Sequence, residues 1–182
     1  MLLLASASPR RAEILRAAGI PFEVRPSQID ETRRPGEPAG EYVRRLAREK
    51  ARQAPAAPNQ IVLSADTTVS VEGAILEKPV DDADAARMLH LLSGRTHEVV
   101  TGICLRQGER YVVDAEATRV RIAVLTADEI SEYVASGEPM DKAGGYAIQG
   151  LASRYIERVE GCYFNVVGLP ISLVWRRLKE FD

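Results

Sequence analysis

The chain has 182 residues, 46% of them apolar and 27% charged, enough for one sizeable core but short for two independent ones, because domains usually run about 100–200 residues. Its 24 Lys and Arg nearly cancel its 26 Asp and Glu, which argues against a general nucleic-acid or membrane binder and leaves any anion site to a local cluster. The two cysteines, Cys104 and Cys162, lack neighbours at metal-ligand spacing, so neither a zinc site nor a disulfide framework is expected.

No apolar run approaches the roughly 20 residues of a membrane span. The apolar start of the chain is cut off by Pro9-Arg10-Arg11, too soon for a signal peptide. A soluble cytoplasmic protein is expected, one domain over residues 1–182 with at most two lobes.

In chain order, Leu2-Leu3-Leu4-Ala5 reads as a short buried strand. Ser8 before Pro9 reads as an N-cap with proline at the first helical position, and Ile14, Leu15 and Ala18 keep helical spacing until Gly19. From Glu41 to Ala54 an apolar stripe of Tyr42, Val43, Leu46, Ala47, Ala51 and Ala54 opposes Arg44, Arg45, Arg48 and Arg52, which predicts a second helix. Pro55 and Pro58 end it, and Ile61-Val62-Leu63 starts a buried strand.

Val69–Val71 and Ala74–Leu76 flank Glu72-Gly73 as a hairpin. Asp84–Leu92 is helical up to Ser93-Gly94. The β-rich stretch from Thr96 to Leu125, with a turn at Gln107-Gly108, predicts two or three antiparallel strands. Thr126 and Glu129 have capping-box spacing for a helix that stops near Gly137. Tyr155–Val159 is a further strand, and Pro170 opens a last helix through Leu178. Interleaved elements with both crossover and hairpin connections make this an α/β protein with a mixed central sheet flanked by helices.

Four segments could carry chemistry. Ser6, Ser8, Arg10 and Arg11 cluster at a strand-to-helix turn, where unpaired backbone N–H groups, hydroxyls and guanidiniums suit a phosphate or carboxylate. The same residues also describe a capped helix with two solvated arginines. Asp66 and Thr67 stand at the C-terminal end of an apolar strand; an aspartate there can hold a metal or a water at the carboxyl edge of a sheet, or simply form a turn.

Lys50, Lys78 and Lys142 stand near element ends, the last in a loop from Asp141 to Gly150 whose three glycines permit close backbone approach to a ligand. Glu31 and Asp66 could together hold a divalent ion, since Mg²⁺ takes one or two carboxylates plus substrate phosphates. With only His90 and His97, and no partner evident for either, a Ser-His-Asp triad and a zinc hydrolase are disfavoured.

Together the segments Leu4–Arg11, Asp30–Thr32, Leu46–Ala51, Ala65–Thr67, Glu77–Pro79, Leu92–His97, Asp141–Gly150 and Asn165–Pro170 resemble, in order, the Maf family of nucleotide pyrophosphatases. The resemblance implies a fold similar to inosine-triphosphate pyrophosphatases, with two lobes around a cleft and frequent homodimers. It also implies hydrolysis of a nucleoside triphosphate between the α and β phosphates, with Mg²⁺ or Mn²⁺.

By that resemblance Asp66 matches the catalytic acid, as general base or through the metal. Arg10, Thr67 and Gln149 match positions linked to base selection in the dTTP/UTP branch. The branch acting on 7-methyl-GTP has Pro-Trp-Arg-Arg in the first motif and Glu in place of Gln149, whereas this chain has Pro9-Arg10-Arg11 and Gln149. The mechanism expected is that Glu31 and Asp66 hold the ion while Ser8, Arg10, Arg11, Lys50 and Lys78 bind phosphate oxygens. A nucleotide-sensing regulator of cell division is the alternative from another class.

Overall fold

A computed structural model describes residues 1–181. The first strand, β1 (Leu2–Leu4), is apolar at every position and buried on both faces, as a central parallel strand should be. Helix α1 (Pro9–Ala17) follows, with proline in its first turn. It ends where Gly19 adopts φ 68° and the Ile20 N–H returns to the Leu15 carbonyl at 3.1 Å.

Strand β2 (Phe22–Val24) then pairs parallel with β1, Leu2 opposite Phe22. Helix α2 (Ala39–Gln53) leads to β3 (Ile61–Val71), parallel to the other side of β1 with Leu2 opposite Ile61. The chain thus leaves β1 in one direction and returns across it in the other. This reversal brings the residues after β1 and the middle of β3 to one carboxyl edge, where open α/β sheets place their ligand crevices.

Two compact units can be distinguished, each built from separate stretches of chain. One comprises Met1–Thr67, Thr101–Glu116 and Phe164–Asp182; the other comprises Thr68–Val100 and Ala117–Tyr163. In the first unit, strict alternation along the strands assigns side chains to two clusters. Leu3, Ala5, Val62 and Cys104 join Ala47, Ala51 and Ala54 of α2. Leu2, Leu4, Leu63, Ala65, Ile103 and Leu105 join Ile14 and Leu15 of α1 and Leu173 and Val174 of the last helix.

Helix α2 lies very close to β5 (Thr96–Gln107): a Cβ on Gly102 would stand 2.4 Å from the Val43 carbonyl carbon and oxygen, so only glycine permits this packing. The Ser64 hydroxyl donates to the Ala47 carbonyl at 2.5 Å, fixing β3 against α2.

In the second unit, β4 (Ala74–Leu76) folds back on β3 with Val71 opposite Ala74. Glu72 (φ 50°) and Gly73 (φ 82°) both take the left-handed backbone that such a two-residue connection needs. Helix α3 (Asp82–Leu92) is capped by the Asp81 carboxylate on the Asp84 N–H. Strand β6 (Arg110–Ile122) leads to α4 (Ala127–Ala135), which opens with the expected capping box. β7 (Ile156–Glu160) pairs antiparallel with β6, Val120 opposite Val159.

Short 3₁₀ turns occupy Glu138–Asp141, Ala143–Gly145 and Leu151–Tyr155. Helices α5 (Tyr163–Val167) and α6 (Ile171–Leu178) follow, and a further 3₁₀ turn covers Lys179–Phe181. Among the described residues the strands link in the order β2-β1-β3-β5-β6-β7, with β4 beside β3.

The mixed α/β sheet is therefore as read from the sequence, with differences. β3 does not end around Asp66 and Thr67 but runs on to Val71, so Asp66 is a mid-strand residue. The β-rich stretch resolves into two long strands, and β2, α5 and the 3₁₀ turns are additions. No helix among the described residues is long and apolar enough to cross a membrane.

Candidate active site

The alternation of β3 gives its two candidate residues, Asp66 and Thr67, opposite faces. Asp66 shares the face of Val62 and Ser64, which is covered by α2. On that helix Lys50 follows Ala47 by one turn, and the Ser64–Ala47 bond sets the register that brings Lys50 to Asp66. Lys50 Nζ stands 2.6 Å from Asp66 Oδ1 and 2.7 Å from Glu31 Oε1. Lys50 and Asp66 are both 8% exposed, so the two carboxylates share one nearly dry ammonium.

Burial raises the pKa of Asp66; Lys50 and Arg11 oppose the rise, and Glu31 adds to it. A carboxylate made more basic in this way, held in place by its partner cation, is suited to taking a proton from water.

Thr67, on the other face, meets α1. Arg11 spreads its guanidinium between Thr67 Oγ1 (3.1 Å), Ser6 Oγ (3.0 Å) and the carbonyls of Ala65 (2.7 Å) and Gly168 (2.8 Å). These four bonds give Arg11 a different weight from the phosphate ligand expected: it pins the turn after β1 to β3 and to the loop before α6. Burial lowers its pKa, opposed chiefly by Asp66, and a guanidinium stays charged regardless.

Ser8 occupies the N-cap position, yet its side chain makes no capping bond; its N–H donates to Ser6 Oγ at 3.3 Å instead. Arg10 is half-buried on the first turn of α1.

The first unit contains Ser6, Ser8, Arg10, Arg11, Glu31, Lys50, Asp66 and Thr67, with Glu31, Lys50 and Asp66 joined in one cluster and Ser6, Ser8, Arg11 and Thr67 in another. Lys78, Lys142 and Gln149 belong to the second unit. There, Lys78 and Gln149 are exposed, while Lys142 Nζ donates to the Glu138 carbonyl at 2.7 Å and pairs with Asp141.

One member of the first unit's network had no sequence signal. Thr101 Oγ1 lies 2.9 Å from Thr67 Oγ1 and donates to the Asn165 carbonyl at 3.2 Å, completing a hydroxyl relay behind Arg11; in the sequence it is one β-branched residue among many. His97, without an evident partner in the sequence, is buried and bonds to the Tyr146 hydroxyl at 2.6 Å. Among the described residues no group of three or more His, Cys, Asp and Glu could hold a metal by itself.

A family model described as Maf-like protein matches residues 1–181. The chain belongs to the Maf family. This Maf protein is 52% identical over 180 residues to a Koribacter versatilis protein named dTTP/UTP pyrophosphatase, covering 98% of this chain and 93% of the relative. It is 50% identical to an Exiguobacterium sibiricum protein of the same name, covering 99% and 92%.

Among solved structures, the chain is similar in fold to the Staphylococcus aureus Ham1 protein, with TM-score 0.55 and 16% identity over 100% of this chain and 99% of that one. A HAM1 protein from Coxiella burnetii gives TM-score 0.51 and 16% identity over 98% of each chain.

Proposed function

We propose that this chain hydrolyses nucleoside triphosphates, dTTP and UTP foremost, between the α and β phosphates to the monophosphate and pyrophosphate. The observation that carries the proposal is the Lys50 bridge between Asp66 and Glu31, beside the Ser6–Arg11 turn, in a chain about half identical to relatives named for that reaction.

In this reading Asp66 orients the attacking water and takes its proton, and Lys50 keeps the carboxylate ionised and aimed. The turn after β1 supplies backbone N–H groups and Ser8, with Arg10, to the phosphate oxygens. Roles in binding for Lys78 and Lys142, and in base choice for Gln149, rest on the family resemblance.

Glu31 and Asp66 would hold a divalent cation. Their donor set fits Mg²⁺ or Mn²⁺: two carboxylates, all oxygen, with the triphosphate completing the shell. When bound, the ion offsets negative charge on the leaving pyrophosphate.

The test is product analysis with dTTP, UTP, dATP and GTP. The proposal expects equimolar monophosphate and pyrophosphate, fastest with dTTP and UTP. Release of inorganic phosphate with a nucleoside diphosphate would refute it.

A further inference from the structure

Gln149 lies in a turn whose two ends are held by a pair of side chains, Tyr133 and Glu138. The Tyr133 hydroxyl, at the inner face of α4, accepts the Ala147 N–H at 3.1 Å and donates to Glu138 Oε2 at 2.6 Å. The other carboxylate oxygen, Oε1, accepts the Leu151 N–H at 3.0 Å. Between these anchors the Gly150 N–H closes the turn on the Ala147 carbonyl at 3.1 Å.

Glu138 is pressed so closely on the turn that a Cβ at Gly150 would stand 2.1 Å from Oε1. Gly150 has ordinary extended backbone, so its small size serves this contact and not its dihedral angles. Tyr133 is 1% exposed and stacks edge-on with Tyr155 at 6.2 Å. Ala147 and Ile148 are buried, whereas Gln149 is exposed. The turn is thus bolted down on either side of one presented amide.

We propose that Tyr133 and Glu138 are positioning residues for substrate choice: they clamp residues 147–151 from both ends and so fix the direction in which Gln149 offers its amide to the base. This rests on the reading of Gln149 as the base-selecting residue. An amide recognises a pyrimidine imide edge only when its donor and acceptor are both aligned, so a turn free to rock loses discrimination before it loses hydrolysis.

The experiment measures kcat and KM for dTTP, UTP and dATP in the wild type, Tyr133→Phe, Glu138→Gln, Glu138→Ala, Gln149→Ala and the Tyr133→Phe/Gln149→Ala double variant. Tyr133→Phe keeps the ring and removes only the clamp hydroxyl. The preference for dTTP over dATP falls by about tenfold, carried by KM for dTTP more than by kcat. Glu138→Ala gives the same loss by a second route, and Glu138→Gln, which keeps an acceptor for the Leu151 N–H, retains most of the preference.

In the Gln149→Ala background, Tyr133→Phe shifts the preference by less than about twofold, because the amide it orients is gone. An unchanged preference in Tyr133→Phe and Glu138→Ala, or the same tenfold shift with and without Gln149, overturns the clamp. If Gln149→Ala alone leaves the preference intact, the reading of Gln149 fails and takes the clamp with it.

Discussion

Lys50 Nζ bridges Asp66 Oδ1 at 2.6 Å and Glu31 Oε1 at 2.7 Å. One buried ammonium therefore sets both the ionisation and the aim of the proposed base. Burial pushes Asp66 towards its neutral form and Lys50 is the largest opposing influence, so removing the ammonium lets the Asp66 pKa rise further. Because activity needs the carboxylate ionised, the acid limb of the pH–rate profile should move to higher pH in Lys50→Met. A pH–kcat/KM profile checks this; an unmoved limb would mean that Lys50 does not govern the base.

The close approach of α2 to β5 should be intolerant of a single methyl group. In Gly102→Ala the new Cβ meets backbone of Val43 and Arg44, which cannot rotate away. The cost should lie near the upper end of overpacking, about 3 kcal/mol, or roughly 6–12 °C in Tm. Gly40→Ala, at the start of the same helix, meets only the Arg44 guanidinium at 3.2 Å and should change Tm little or raise it. Thermal unfolding of the two variants compares them directly.

Arg11→Lys should not be conservative. One ammonium cannot replace a fork that serves Ser6, Thr67 and the Ala65 and Gly168 carbonyls. A loss of ~2 kcal/mol or more is expected, together with reduced kcat/KM, since the turn carrying Ser8 and Arg10 is no longer pinned. Denaturant unfolding and kinetics on the same preparation measure both effects.

His97 supplies a pH signature of stability. Burial lowers its pKa from the ordinary 6.5 to about 4, so the unfolded chain binds the proton more readily than the folded one. The associated stability is complete above about pH 6.5 and is lost as pH falls towards 4. The full difference is about 3 kcal/mol. Over that interval His97→Gln, which can still bond to Tyr146, should lose less stability than the wild type by that amount in pH-dependent urea titrations.

Much of this was legible in residue patterns because the signals were local. Pro9 and Gly19 bracket α1, Glu72-Gly73 makes the hairpin, and Thr126 with Glu129 makes the capping box found at α4. Strand β2 was not, because three residues, none fully buried, carry no alternation to read. In the site, the sequence pairs Glu31 with Asp66 as oxygen donors, but the Lys50 bridge joining them depends on the register of β3 against α2, which only packing sets.

Lys50 itself belongs to the buried face of α2, where composition would place a solvated charge. The pinning role of Arg11 has no signature in sequence, because its acceptors include the Ala65 and Gly168 carbonyls, which are backbone groups. The Tyr133–Glu138 pair was hidden for the same reason, since its bonds go to N–H groups of a loop.

The most direct test of the central claim is pyrophosphate release from dTTP by the wild type and Asp66→Asn, with saturating Mg²⁺ and with EDTA. The substitution keeps the shape and removes the charge that Lys50 holds. The account predicts that Asp66→Asn lowers kcat by at least about 10²-fold while the protein still folds and binds dTTP. Near-normal turnover of Asp66→Asn at saturating metal would contradict it.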